Sequence, residues 1–307
     1  MKIKKLNSYF LGGIIICFLG AVCFSTKAIF VKLAYRDTDI DPVTLLALRM
    51  FFSLPFFILS AAVSSNKSTN VRFTRKQWIT VAAIGCLGYY VSSLLDFLGL
   101  QYVTAGIERL ILFIYPTLVL LISSTIFKTR ITSRQWMALL ITYVGLIAAY
   151  IPEIQGTQAG ENFWKGSILI LVCAFTYALY IVGSGKLIPV VGASKFNSYT
   201  MSIAALAVLI HFFLTSNDSL FDQTSKVYLY SIAMAIISTV IPSYLISEGI
   251  KRVGSGNAAI VGSVGPVSTI LQAAIFLYEP IKALQLLGTG LILAGVFMVG
   301  QKKQAEI

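Results

Sequence analysis

The sequence is short of the residues from which most soluble activities are built. Only 12% of its 307 residues are charged, against roughly 25% in soluble domains. Acidic residues number 12 and histidine occurs once. No HExxH, GxSxG or GxxxxGK[ST] pattern occurs, so a zinc hydrolase, a serine hydrolase of the nucleophile-elbow type and a P-loop ATPase are all without support. Cys17, Cys23, Cys86 and Cys173 lie singly in apolar runs. Without a CxxC spacing or a nearby histidine they read as small packing residues, neither disulfides nor metal ligands. No metal and no cofactor is expected.

What is present is apolar. Hydrophobic residues make up 57% and the mean hydropathy is +0.83. Crossing ~30 Å of hydrocarbon takes about 20 helical residues. Ten runs meet that length approximately: 10–32, 42–62, 77–97, 105–127, 134–151, 164–184, 197–215, 227–248, 257–278 and 282–300. The expected fold is an all-α polytopic membrane protein. The lysines before the first run resemble a signal peptide, but Val22 before Cys23 fits no cleavage site, so a retained first helix is expected.

The runs repeat. At a fixed offset of 150, Gly99, Val103, Gly106, Pro116, Ile131, Gln135 and Gly145 match Gly249, Val253, Gly256, Pro266, Ile281, Gln285 and Gly295. At an offset of 154, Gly12, Lys32 and Leu33 match Gly166, Lys186 and Leu187. Shared glycines and prolines at one register indicate duplication. The expected units are a first five-helix repeat over 1–151, a linker over 152–163 and a second repeat over 164–307. An odd number of crossings per half makes the second half inverted, the plan of many secondary transporters.

Charge sets the expected orientation. Sixteen basic residues lie at the termini and even-numbered loops, against five in the odd-numbered loops. By the positive-inside rule both termini are cytoplasmic. The net charge of +12 is then a topology signal, and no nucleic-acid partner is expected.

Three basic residues remain inside the runs, Lys27, Arg49 and Arg109, with Asp96 and Glu108 at similar depth. Ionisable groups in hydrocarbon are costly and face the bundle interior, where they mark function. At the repeat offsets Asp96, Glu108, Arg109 and Lys27 correspond to Ile246, Ala258, Ala259 and Ile181, so one half dispenses with the charges. Tyr89, Ser92, Ser93 and Asp96 form one helical stripe; Tyr115, Tyr177 and Tyr244 add candidate cavity positions. Pro116 and Pro266, mid-run, are candidate hinges. His211 is expected to be a lone interfacial group, and Glu248 to sit apart from the cluster.

Several runs resemble the EamA family of the drug/metabolite transporter superfamily: STKAIFVKL at Ser25–Leu33, LLALRM at Leu45–Met50, YVTAGIERLILFIYPT at Tyr102–Thr117 and NAAIVGSVGPVSTILQAAIFLYEP at Asn257–Pro280. The resemblance implies a carrier that exports small metabolites, often amino acids, across the bacterial inner membrane. It also implies a cavity lined by the first, third, fourth, sixth, eighth and ninth runs. The acidic residue usual after the fourth run is replaced by Lys128, Thr129 and Arg130, and Glu279 alone keeps it.

The function expected is therefore a secondary transporter of amino acids or related zwitterionic or carboxylate solutes. It would work in a lipid bilayer as a monomer or weak homodimer. The reading set against it is a non-transporting structural or sensory membrane protein whose charges form a structural ion-pair cluster. A channel or a membrane enzyme finds no filter-like charge ring or catalytic constellation.

Overall fold

The computed structural model describes residues 2–65, 72–128, 130–156, 162–276 and 281–300. All regular structure among them is helical. The first stretch contains α1 (Lys2–Asp37), α2 (Pro42–Ser65), α3 (Arg75–Gly85), α4 (Ser92–Gly99), α5 (Ala105–Leu112), α6 (Tyr115–Phe127) and α7 (Ser133–Gly156). The second contains α8 (Phe163–Val191), α9 (Ala193–Thr215), α10 (Ser225–Ala235), α11 (Ile241–Val253), α12 (Ser255–Val261), α13 (Val264–Phe276) and α14 (Ala283–Gly300).

Among the described residues, eight spans are long and apolar enough to cross a membrane, and Ala283–Met298 is a shorter apolar helix. Four of these spans combine two helices: Arg75–Gly99, Ile107–Ile126, Ser225–Val253 and Ser255–Phe276. Their outer surface carries large apolar side chains such as Leu59, Ile79, Leu140, Phe213 and Leu229, all more than half exposed. So continuous an apolar face suits lipid and would aggregate in water. The chain is thus a multi-pass membrane protein. Glu279 and Pro280, residues 157–161 of the expected 152–163 linker and the residues after Gly300 lie outside the described residues, while α7 continues through the first five residues of that linker to Gly156.

Helix boundaries fall in step along the chain. Arg75 and Ser225 open α3 and α10, Ala105 and Ser255 open α5 and α12, and Ser133 and Ala283 open α7 and α14, each pair 150 residues apart. Side-chain chemistry explains several of these starts. The Thr74 hydroxyl accepts from the Gln77 amide (3.3 Å) while the Gln77 side chain accepts from the Thr74 amide (2.8 Å), a capping box that satisfies two orphan donors. Thr132 and Gln135 repeat it before α7, and the Gln285 side chain accepts from the Lys282 amide before α14.

Two interruptions also recur. π-helical turns at Cys86–Val91 and Ile236–Val240 join α3 to α4 and α10 to α11. In the second, Pro242 offers no N–H to the Ser238 carbonyl, so the regular ladder cannot continue. The Ser238 and Thr239 hydroxyls both bond the Met234 carbonyl instead. The breaks at Phe113–Ile114 and Gly262–Ser263 lie just upstream of Pro116 and Pro266, which remove the same bond in the same way.

Packing pairs the helices reciprocally. α1 lies on α11 and α13, while α8 lies on α4 and α6; α2 lies on α10, while α9 lies on α3. α2 also packs on α9, and α7 on α14. The α7–α14 contact is made by backbones. A Cβ at Gly145 would stand 2.7 Å from the Gly288 carbonyl oxygen and 2.9 Å from the Ile292 amide nitrogen. Small residues permit such close approach in membranes. Gly145→Val should therefore lower the Tm of the detergent-purified protein by a few degrees, since overpacking costs about 1–3 kcal/mol. Gly290→Ala, where a Cβ meets nothing within 4 Å, should leave Tm unchanged. Equal behaviour of the two would contradict this packing.

Candidate functional site

The intramembrane charges converge. Lys27 on α1 places its Nζ 2.6 Å from Asp96 Oδ2 on α4 and 3.7 Å from Glu108 Oε1 on α5. Arg109 Nε stands 3.0 Å from Glu108 Oε2. All four side chains are at most 5% exposed. Arg49, 2% exposed, reaches this group through Ser93, to whose hydroxyl its Nη2 donates at 3.0 Å. Its guanidinium lies 5.0 Å from the centre of the Phe97 ring. Three cations thus face two carboxylates, and Arg49 has no carboxylate within ion-pair range.

Helical geometry explains the convergence. Asp96 lies one turn past the π turn on α4. Glu108 and Arg109 occupy the first turns of α5, whose start is fixed by the Thr104 hydroxyl accepting from the Ile107 amide at 3.1 Å. An acidic group near a helix N-terminus is favoured by the unpaired amides there.

Beside the cluster lies a central pocket of about 50 Å³. Its wall joins Phe24 of α1, Arg109 and Tyr115 of α5 and α6, Tyr177 of α8, and Ala258 and Pro266 of α12 and α13. A smaller pocket, about 20 Å³, is lined by Lys27, Tyr89, Ser92, Ser93 and Asp96, with Phe24 and Tyr177 common to both. Tyr177 stacks on Phe24 at 6.0 Å and meets Tyr115 edge-on at 5.2 Å; Tyr89 meets Tyr180 edge-on at 4.9 Å. The Tyr115 hydroxyl donates to the Ala259 carbonyl at 3.1 Å.

Other candidates lie elsewhere. Tyr244 bonds Ser198 at 2.9 Å and packs on Phe57, lining neither pocket. Glu248 pairs with Arg252 at 2.8 Å, apart from the cluster. His211 is not alone: its Nδ1 is 2.9 Å from the hydroxyl of Tyr90 in the Cys86–Val91 π turn, 121 residues away in the chain. Phe24, absent from the candidates read in the sequence, lines both pockets. Its ring centre is 5.2 Å from Lys27 Nζ and 6.0 Å from the Arg109 guanidinium, and its place three residues before Lys27 was the available signal.

A wider vestibule of about 690 Å³ opens at the end where α6, α8 and α11 finish and α7 and α12 begin. Lys128, Arg130 and Lys186 line it, with no acidic residue among the described residues of its wall. Gln135 donates to Asn257 across it at 3.3 Å. Val182 and Asn257 there adjoin Ile181 and Ala258 of the central pocket.

Comparison with known proteins places this architecture. The model of the EamA-like transporter family matches residues 11–151 and again 164–301. The uncharacterized transporter YcbK of Bacillus subtilis is 31% identical over 294 residues, 94% of this chain and 91% of that protein. The biotin transporter of Escherichia coli is 22% identical, covering 70% of this chain and 71% of its own length. A solved crystal structure superposes with a TM-score of 0.75 over 93% of this chain and 95% of its own, at 19% identity, a likeness of fold. The chain belongs to the EamA-like transporter family.

Proposed function

We propose that the protein is a secondary transporter carrying a small carboxylate-bearing or zwitterionic metabolite out of the cell by alternating access. The observation that carries the reading is the central pocket, whose wall is drawn from α1, α5 and α6 on one side and α8, α11, α12 and α13 on the other. A site between halves, bordered by broken helices and buried charge, is the usual place for a carrier's substrate.

The reciprocal helix packing and the two separate family matches support two halves of five crossings, inverted relative to one another, with α7 and α14 as the fifth of each. Charge distribution supports cytoplasmic termini in a bacterial plasma membrane. In that orientation the basic vestibule is cytoplasmic and the cluster lies toward the outer face. Pro116 and Pro266 then act as hinges at equivalent places. Lys27, Asp96, Glu108, Arg109, Tyr115 and Tyr177 are the core of the substrate or coupling site, with Arg49, Tyr89 and Ser93 behind them. Biotin, named for one relative, belongs in the first panel of solutes tested.

Topology is testable by fusion. A fluorescent protein that matures only in the cytoplasm should shine at either terminus, and alkaline phosphatase inserted between Thr38 and Asp41 should be active. Phosphatase activity at a terminus would reverse the orientation.

The charges separate transport from structure. Replacing Lys27 and Asp96 together by isoleucine copies Ile181 and Ile246, removes both members of the closest ion pair and leaves Glu108 paired with Arg109. The double variant should keep its Tm within a few degrees and lose counterflow in proteoliposomes at least ~10-fold. Counterflow retained at the wild-type rate would return the pair to a structural role.

A further inference from the structure

The central pocket presents a site for an anion and none for an ammonium. Arg109 is 5% exposed; its Nε faces Glu108, while its buried Nη2 has no hydrogen-bond acceptor within the protein. A buried guanidinium N–H without an acceptor is costly, and a carboxylate meets it in the geometry the fork prefers. Around this donor the wall is apolar or aromatic: Phe24, Leu112, Tyr177, Ile181, Ala258 and Pro266 among others, with no carboxylate.

The acids nearby are ion-paired, though their oxygens, like Arg109 Nη2, make no well-aligned hydrogen bond. Asp96 holds Lys27 at 2.6 Å in the adjoining pocket, and Glu108 lies between Lys27 and Arg109, lining neither pocket. The Phe24 ring, which could otherwise receive a cation, is already approached by Lys27 and by Arg109. A substrate ammonium placed in the central pocket would add a fourth cation beside three with two carboxylates. An unpaired charge buried in this way is strongly unfavourable. The vestibule next to it carries Lys128 and Arg130, and no acid among the described residues of its wall. Such a mouth concentrates anions and repels cations.

We propose that the transported solute is a monocarboxylate with an apolar body and no α-ammonium, its carboxylate seated on Arg109 and its body between Phe24, Tyr177 and the α12–α13 break. This rests on the carrier reading above and narrows it, setting zwitterionic amino acids aside. At about 50 Å³ the pocket is narrow, and Gly262 and Pro266 in its wall place the α12–α13 break where widening would occur.

Matched pairs remove size from the test. The full-length protein in nanodiscs is titrated with 3-phenylpropanoate and L-phenylalanine, with hexanoate and L-norleucine, and with 3-phenylpropanamide, following ligand-induced shifts in Tm. The same probes are run in counterflow. Each acid should bind at least ~10-fold more tightly than its amino acid, and the amide should bind more weakly than 3-phenylpropanoate. Arg109→Lys, which keeps charge but loses the fork, should weaken acid binding several-fold. Glu108→Gln with Arg109→Gln, which removes the pair together, should abolish it while the unliganded Tm holds.

Amino acids that bind as tightly as their acids would overturn the proposal, and so would acid binding indifferent to both Arg109 variants. Absence of acid binding would overturn it too. Acid binding at Arg109 with no counterflow of any probe would sustain the site and sink the carrier reading. Counterflow of another solute without acid binding would do the opposite.

Discussion

The structure depends on keeping five ionisable side chains out of water within a bundle that is otherwise apolar. An isolated charge at the centre of a membrane helix costs at least ~2.5 kcal/mol. The chain Asp96–Lys27–Glu108–Arg109 meets that cost by contact between neighbours on α1, α4 and α5. Removing any one member strands another, so the pairs hold α1, α4 and α5 in one mutual placement. Arg49 is outside this exchange. A serine hydroxyl and the face of Phe97 are its neighbours, and both are weaker than a carboxylate as compensation for a buried guanidinium. The site therefore carries a net positive charge by construction.

Around that charge, backbone irregularity is placed with care. The α5–α6 break is flanked by Leu112 and Tyr115 and the α12–α13 break by Gly262 and Pro266, all four in the wall of the central pocket. The π turn at Cys86–Val91 contributes Gly88 and Tyr89 to the smaller one. Interrupted ladders are tolerated in membranes only where protein or a cavity replaces the missing partner, and π turns recur at functional positions. Regular helices carry the outer faces and irregular ones the interior.

Much of this was legible in the chain. The apolar runs located the helices, because crossing length and burial dominate in a membrane. Lys27, Asp96, Glu108 and Arg109 could be singled out because charge is rare and each lies at a similar distance from a run's end. What the sequence could not disclose were features that depend on packing between distant segments. His211 looked isolated until Tyr90 was seen beside it. Tyr244 matched the other tyrosines in pattern, yet it turns to Ser198 and Phe57. Phe24 is one aromatic among 20 phenylalanines, and only its position between two cations distinguishes it. The π turn at Cys86–Val91 contains no proline to announce it; tight contacts of Gly85 and Gly88 with Thr200 and Tyr180 accompany it.

The asymmetry between the halves bears on how a carrier of this plan would cycle. If two identical halves exchanged conformations, the inward-open and outward-open states would be equal in energy. Here the helix pairs are reciprocal, but the ionic cluster sits only on α1, α4 and α5; at the offset positions stand Ile181, Ile246, Ala258 and Ala259. The open vestibule lies at the end of α6, α8 and α11, and the cluster ties α1, α4 and α5 together beside the pocket. In the carrier proposed above, the ion pairs would weight the equilibrium toward the state in which those three helices are closed on one another. A ligand moves such an equilibrium only by its difference in affinity between the two states. In that carrier, a carboxylate on the unsatisfied Nη2 of Arg109 would share that guanidinium with Glu108, and this added contact would supply the differential binding that opening requires.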